Sequence, residues 1–146
     1  DDKKIQQQAS HLLTSPELVY LQNREGYIAI EAMHEPDYQL LQKSLYLRKA
    51  GVGIGIPAAK EWVPAHDVAM SIDKNEGLHY VSVNKEQALH FLKKEDMRLH
   101  EMDKGWYIVN YEGLGLGWIK SLGNRINNYL PKHWRIRMEI TDADWA

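Results

Sequence analysis

Apolar residues alternate with a period of two in some segments of this chain and recur every three to four residues in others, and each change of period marks a change of element. "ELVYLQ" and "YIAIEAM" flank the polar "NREG", which closes on Gly26, so residues 18–33 are predicted to form a β-hairpin. The preceding "DDKKIQQQASHLLTS" is a polar leader that suits a short helix ending before Pro16. In "EPDYQLLQKSL", Asp37 stands near a helix start, and Leu40, Leu41 and Leu45 fall at helical spacing. "LYLRKAGVGIGI" returns to strand character. "VPAHDVAMSI" places Pro64 in a first helical turn, with Val68, Ala69 and Ile72 on one face. The polar "DKNEG" at 73–77 is a soft boundary, which divides the chain into residues 1–75 and 76–146.

The second part opens with the strand "LHYVSV". In "NKEQALHFLKKE", Asn84 is an N-cap, Glu86 sits in the first turn, and Ala88, Leu89 and Leu92 form the buried face. "MRLHEM", "GWYIVNYE" and "LGLGWIK" are predicted as three further strands, separated by "DKG" and "EG" turns. The acidic tail "EITDADWA" is expected to fray unless Trp145 docks.

Composition narrows the chemistry. At 146 residues the chain fits one domain or two small ones, and 44% hydrophobic residues suffice for a core. Five Trp and eight Tyr stand against one Phe, a set suited to half-buried surfaces as well as to core. Cysteine is absent, which excludes disulfides, thiolate metal sites and a cysteine nucleophile in this chain. No apolar run is long enough to span a bilayer and no signal peptide opens the chain, so no membrane partner and a cytoplasmic location are expected. A first residue of Asp suggests an excised or processed piece.

The motifs of nucleotide and metal chemistry are missing. "GVGIGI" and "GLGLGW" alternate Gly with an apolar residue, but the third Gly of a dinucleotide fingerprint would fall at Ile56 or Trp118. In a strand this alternation puts the glycines on one face, where a backbone, a helix or a ligand can approach closely. The seven His are scattered without a metal-ligand spacing, so no metal site is expected. No GxSxG accompanies the serines, and no catalytic residue is assigned.

Residues 113–137 are different. They hold Lys120, Arg125, Lys132, Arg135 and Arg137 and no acid, whereas the other 121 residues carry a formal charge of −7. Trp118, Asn127, Asn128, Tyr129, His133 and Trp134 are interleaved with these cations. Cations neutralise phosphates, aromatic rings stack on unpaired bases, and Asn can donate to and accept from base edges. The candidate RNA-binding residues are therefore Trp118, Lys120, Arg125, Asn127, Asn128, Tyr129, Lys132, Arg135 and Arg137. The competing reading pairs Arg125 or Arg135 with an acid elsewhere and makes Trp118 and Trp134 core.

"LGWIKSLGNRINNYLPKHWRIR" resembles the closing motif of the RsmF/Fmu/Sun-type ribosomal RNA cytosine-5 methyltransferases, at Leu116, Gly117, Trp118, Lys120, Gly123, Arg125, Asn127, Asn128, Pro131 and Arg135. Upstream, Ala50, Gly51, Gly55, Pro64, His66, Ala69 and Ser71 match a second segment of the family pattern, and "ALHFLKKEDM" and "GWYIVNYEGLGLGW" match a helix and two strands. Gly115 departs from the frequent Pro at that place. The resemblance covers about residues 17 to 137.

This resemblance implies an α+β chain. Residues 76–146 would be a PUA-like mixed β-barrel that binds RNA, and residues 1–75 a smaller α+β extension. Ribosomal RNA and a methyltransferase catalytic domain would be the partners. In the family, S-adenosylmethionine and the cysteine nucleophiles belong to that catalytic domain, so a chain without cysteine is expected to be neither the enzyme nor a binder of the cofactor. The alternative is a protein-docking domain that contacts a catalytic domain or a ribosomal partner without binding RNA.

Overall fold

In the computed structural model, residues 2–15 and 17–141 are described, and the chain divides into two compact units, Asp1–Gly77 and Leu78–Ala146. Each unit is built on one four-stranded sheet with helices, so the class is mixed α+β. Pro16 and Trp145 lie outside the described residues.

In the first unit, α1 (Asp2–Leu12) leads to β1 (Leu18–Asn23) and β2 (Gly26–Glu31), which form the hairpin, with Asn23 opposite Gly26. After a 3-10 turn come α2 (Glu35–Ser44), β3 (Val52–Pro57), β4 (Trp62–Pro64) and α3 (His66–Met70), and the sheet order is β1-β2-β3-β4. Ala9, Leu12, Leu13, Ile28, Ala29, Ile30, Ile54, Val68 and Ala69 are buried. The leader is tied down by backbone: the Thr14 amide donates to Asp73 O (2.9 Å) and the Asn75 amide to Leu12 O (2.9 Å).

Several expectations for this unit need correction. Pro64 lies in β4 and not in a helical turn, and α3 begins two residues later. Proline is admissible there because β4 is an edge strand. Ile72 lies beyond the end of α3 and is 95% exposed, so it shares no buried face with Val68 and Ala69. Strand character in 45–56 starts only at Val52, after Gly51 takes φ +63°. The helix at 35–44 forms, but Leu40, Leu41 and Leu45 are exposed.

The glycine alternation in β3 does admit a close neighbour, and that neighbour is the protein itself. A Cβ on Gly55 would meet Val63 O at 2.3 Å and Trp62 Nε1 at 2.5 Å, and the Gly53 amide donates to Asp67 Oδ2 at 3.0 Å. No space for a phosphate loop remains at these two positions.

The second unit holds β5 (Tyr80–Ser82), α4 (Lys85–Lys93), β6 (Gly105–Tyr111), β7 (Leu114–Ser121) and β8 (Ile126–Asn128), with sheet order β5-β6-β7-β8. β5 runs parallel to β6, with α4 as the crossover, and the other pairs are antiparallel. The core comprises Val83, Ala88, Phe91, Met97, Val109, Ile119 and Leu130. Fully buried Phe91 is an anchor of α4 that the expected face of Ala88, Leu89 and Leu92 left out.

α4 starts in a capping box. Asn84 Oδ1 accepts from the Gln87 amide (2.8 Å), and Gln87 Oε1 accepts from the Asn84 amide (3.1 Å). The helix ends at Lys94 in the left-handed conformation, φ 59° and ψ 36°.

"MRLHEM" is not a strand. The Arg98 amide turns back to Asp96 Oδ1 (2.9 Å) and Arg98 has φ +50°, which breaks the extended run, although Met97 is still buried. Among the described residues the strands form an open order, with no pairing of β5 to β8. Backbone hydrogen bonding among these strands gives an open four-stranded sheet in the part expected to be a PUA-like mixed β-barrel.

Candidate nucleic-acid interface

The acid-free segment occupies β7, β8 and the chain that follows, all in the second unit. Strand pairing lines up Trp106 of β6, Lys120 of β7 and Asn127 of β8 in one row across the sheet. Lys120 Nζ lies 5.5 Å from the Trp106 ring centroid, within cation–π range. Tyr129 meets Trp106 edge-on with ring centroids 4.5 Å apart, and it is 39% exposed. This row joins a cation, an amide and two partly exposed rings, the groups that contact a phosphate, a base edge and a base face. Trp106 was missed in the sequence because it lies outside the acid-free stretch. Only the pairing of β6 with β7 puts it opposite Lys120.

Two of the residues picked from the sequence have structural duties instead. Trp118 is 2% exposed and packs edge-on to Trp106 at 6.2 Å, so no face of it is open for stacking. Asn128 uses both ends of its amide: Nδ2 donates to Phe91 O (2.8 Å) and Oδ1 accepts from the Leu130 amide (2.8 Å). It brackets the end of α4 to the end of β8 and leaves no whole amide edge for a base.

A second group of cations gathers at the end of α4. Lys94 Nζ donates to Leu130 O (2.7 Å) and Asn128 O (3.2 Å), under the chain that leads to Lys132 and Arg135. The 3-10 turn Lys132–Trp134 follows, and the Ile136 amide donates to Leu92 O (3.0 Å), returning this chain to α4. Lys94 is held below the usual lysine range, first by burial and then by the charges of Lys132 and Arg135. The hydrogen bonds from Lys94 to Asn128 O and Leu130 O, and from the Ile136 amide to Leu92 O, bring the chain that carries Lys132 and Arg135 back to the end of α4.

The remaining candidates are exposed. Arg125 sits in the turn after β7, where Gly123 approaches Lys104, and Arg137 follows the last backbone tie to α4. Among the described residues, no ion pair engages Arg125, Lys132, Arg135 or Arg137. Among the described residues, pairing with an acid therefore does not account for Arg125 or Arg135. Trp134 is 51% exposed and so is not core.

The acids nearest the α4 end have other partners. Glu95 binds His90 Nδ1 (2.9 Å) and Lys93 (3.2 Å), and these contacts, the His90 hydrogen bond foremost, hold its carboxyl below the usual glutamate range. Among the described residues, no three His, Cys, Asp or Glu converge to hold a metal, and no helix is long and apolar enough to cross a membrane.

Residues 79–136 match the family model described as the methyltransferase RsmF PUA domain. The chain is 29% identical over 87 residues to the ribosomal RNA small subunit methyltransferase F of Shewanella loihica, covering 58% of this chain and 18% of that protein. It is 27% identical over 135 residues to the protein of the same name from Shewanella piezotolerans, covering 89% of this chain and 28% of that protein. The chain thus spans less than a third of the length of these relatives.

Proposed function

We propose, from the match of residues 79–136 to the RsmF PUA domain model, that this chain is the RNA-binding portion of a ribosomal RNA cytosine-5 methyltransferase and positions the RNA for a catalytic domain elsewhere in the parent protein. The observation that carries the reading is the placement of charge. In a chain of net charge −2, an acid-free segment puts Arg125, Lys132, Arg135 and Arg137 on the surface of the family-matched unit, which also carries the row of Trp106, Lys120 and Asn127. The same reading takes the four-stranded sheet and the segments that cover it as a PUA-like barrel.

The chain's residues do not fit the methyl-transfer step. Attack on the pyrimidine ring needs a thiolate, and there is no cysteine. A cofactor loop of the dinucleotide type runs from a strand into a helix, whereas both glycine runs enter antiparallel strands. S-adenosylmethionine and catalysis are therefore assigned to the rest of the parent.

The test is binding of a ribosomal RNA fragment by the chain across a salt series. Three to five phosphate contacts give a log–log slope of about −2 to −3.5 on single strands, so affinity falls about 20- to 130-fold between 50 and 200 mM salt. Absence of salt-dependent binding, together with salt-sensitive capture of the parent's catalytic domain, would favour the protein-docking reading instead.

A further inference from the structure

We propose that Lys94, Lys132 and Arg135 form one phosphate anchor, a three-cation seat for a single phosphodiester of bound RNA, apart from the row of Trp106, Lys120 and Asn127 on the sheet. The proposal rests on the RNA-binding reading above and adds to it Lys94, which the acid-free segment does not contain.

The seat is built from two elements. Lys94 is the left-handed C-cap residue that follows α4, and its side chain reaches the end of β8. Its two carbonyl partners, Asn128 and Leu130, fix the ammonium. An ammonium has three N–H donors, so one remains for an incoming oxygen. Lys132 opens the 3-10 turn and Arg135 closes it, with the Arg135 amide donating to Lys132 O (3.3 Å). One turn of chain thus presents both cations, and the Ile136–Leu92 hydrogen bond holds that turn on the helix end.

Like charges gathered at one helix end repel one another unless an anion joins them. The anions at hand do not: Glu95 is engaged by His90 and Lys93, and Glu86 approaches His90 at 3.7 Å. Among the described residues, no ion pair engages Lys94, Lys132 or Arg135. The depressed Lys94 ammonium registers the repulsion, and a bound phosphate reverses its sign. A solvated charge run needs no such convergence, and none of its members is fixed by two main-chain carbonyls. Arginine adds a planar fork that matches two phosphate oxygens.

The experiment compares the wild-type chain, the Lys132→Ala/Arg135→Ala double variant and the conservative Lys132→Arg/Arg135→Lys double variant, with circular dichroism to establish folding. One arm measures binding of a short single-stranded RNA across a salt series, and the other follows the Lys94 side-chain NMR titration with and without inorganic phosphate. The alanine double variant is expected to bind RNA several-fold more weakly, with the slope reduced by up to about 0.7, the single phosphate contact that the seat makes. The conservative variant should restore most of the slope. In the absence of anion, the alanine variant should titrate Lys94 higher than wild type. Phosphate should raise the wild-type value and leave that of the alanine variant nearly unmoved.

Wild-type binding that the alanine variant keeps, slope included, overturns the anchor and leaves the RNA reading standing. If the wild type binds no RNA, the RNA reading fails and the phosphate arm decides alone. A Lys94 response present only in the wild type supports a seat for free phosphate, and no response overturns it.

Discussion

Replacing Asn128 by alanine tests whether its amide belongs to the fold or to the ligand. The substitution removes two hydrogen bonds: the one donated to Phe91 O and the one accepted from the Leu130 amide. Each contributes about 0.5–1.5 kcal/mol net, and the partners left behind decide the rest. Phe91 O still accepts from the Lys94 amide at 3.0 Å, so that end stays satisfied. Leu130 is 1% exposed, and losing Oδ1 costs its N–H the full penalty of a buried unpaired donor, roughly 1–3 kcal/mol. The expected destabilisation is therefore about 2–4 kcal/mol. Urea unfolding followed by tryptophan fluorescence measures it, with a midpoint lower by about 1–2 M at an m-value typical of small domains. RNA affinity, measured where the variant is fully folded, should fall less than threefold. An unmoved midpoint refutes the bracket. An unmoved midpoint with a large loss of RNA affinity would return Asn128 to the set of base readers.

Two further outcomes follow from the geometry. Gly55→Ala should destabilise the first unit by about 2–4 kcal/mol, because its Cβ collides with Val63 O and the Trp62 ring at a residue of φ +140°; thermal unfolding checks this, and a stable variant would mean that β3 and β4 can part without cost. Glu95 has a folded-state pKa below its unfolded value, so its contribution to stability is present above the ordinary glutamate value and is lost as pH falls through the depressed one. Glu95→Gln should flatten that part of the stability–pH curve and leave the neutral and alkaline limbs parallel, as read from urea midpoints across the acid range.

Much of the second unit was legible because its signals are local. The cap of α4 is written in Asn84 and Gln87, three residues apart, and β6 and β7 meet across the two residues Glu112 and Gly113. What failed depended on distant partners. Trp118 and Lys120 share a strand face by alternation, yet one is buried and the other half exposed, a difference no period-two pattern encodes. In "LKKED" nothing sets Lys94 apart from its neighbours, and what fixes it is a pair of carbonyls 34 and 36 residues away. "MRLHEM" has the spacing of a strand and buries Met97, but the Asp96 side chain captures the Arg98 amide and the segment becomes coil. In the candidate site, charge singles out the segment, whereas which of its residues are buried, hydrogen-bonded within the fold or exposed required the structure.

The β6–β7 turn also bears on the order in which the second unit forms. Glu112 and Gly113 have φ of 49° and 83°, the pair of positive values that a type I′ hairpin turn requires, so this pairing closes the shortest loop in the sheet. The parallel β5–β6 pairing has to gather Tyr80 to Ile108 and enclose α4, at a greater loss of chain entropy. The hairpin is therefore expected to be structured in the folding transition state, with β5 joining late. Gly113→Val, which strains the turn, should mainly slow refolding, while Val81→Ala in β5 should mainly accelerate unfolding. Stopped-flow chevrons separate the two limbs, and the reverse pattern would place the nucleus in the crossover. A chain that builds its antiparallel hairpin first puts Trp106 opposite Lys120 before α4 arrives, so the sheet row takes shape ahead of the cation seat at the helix end.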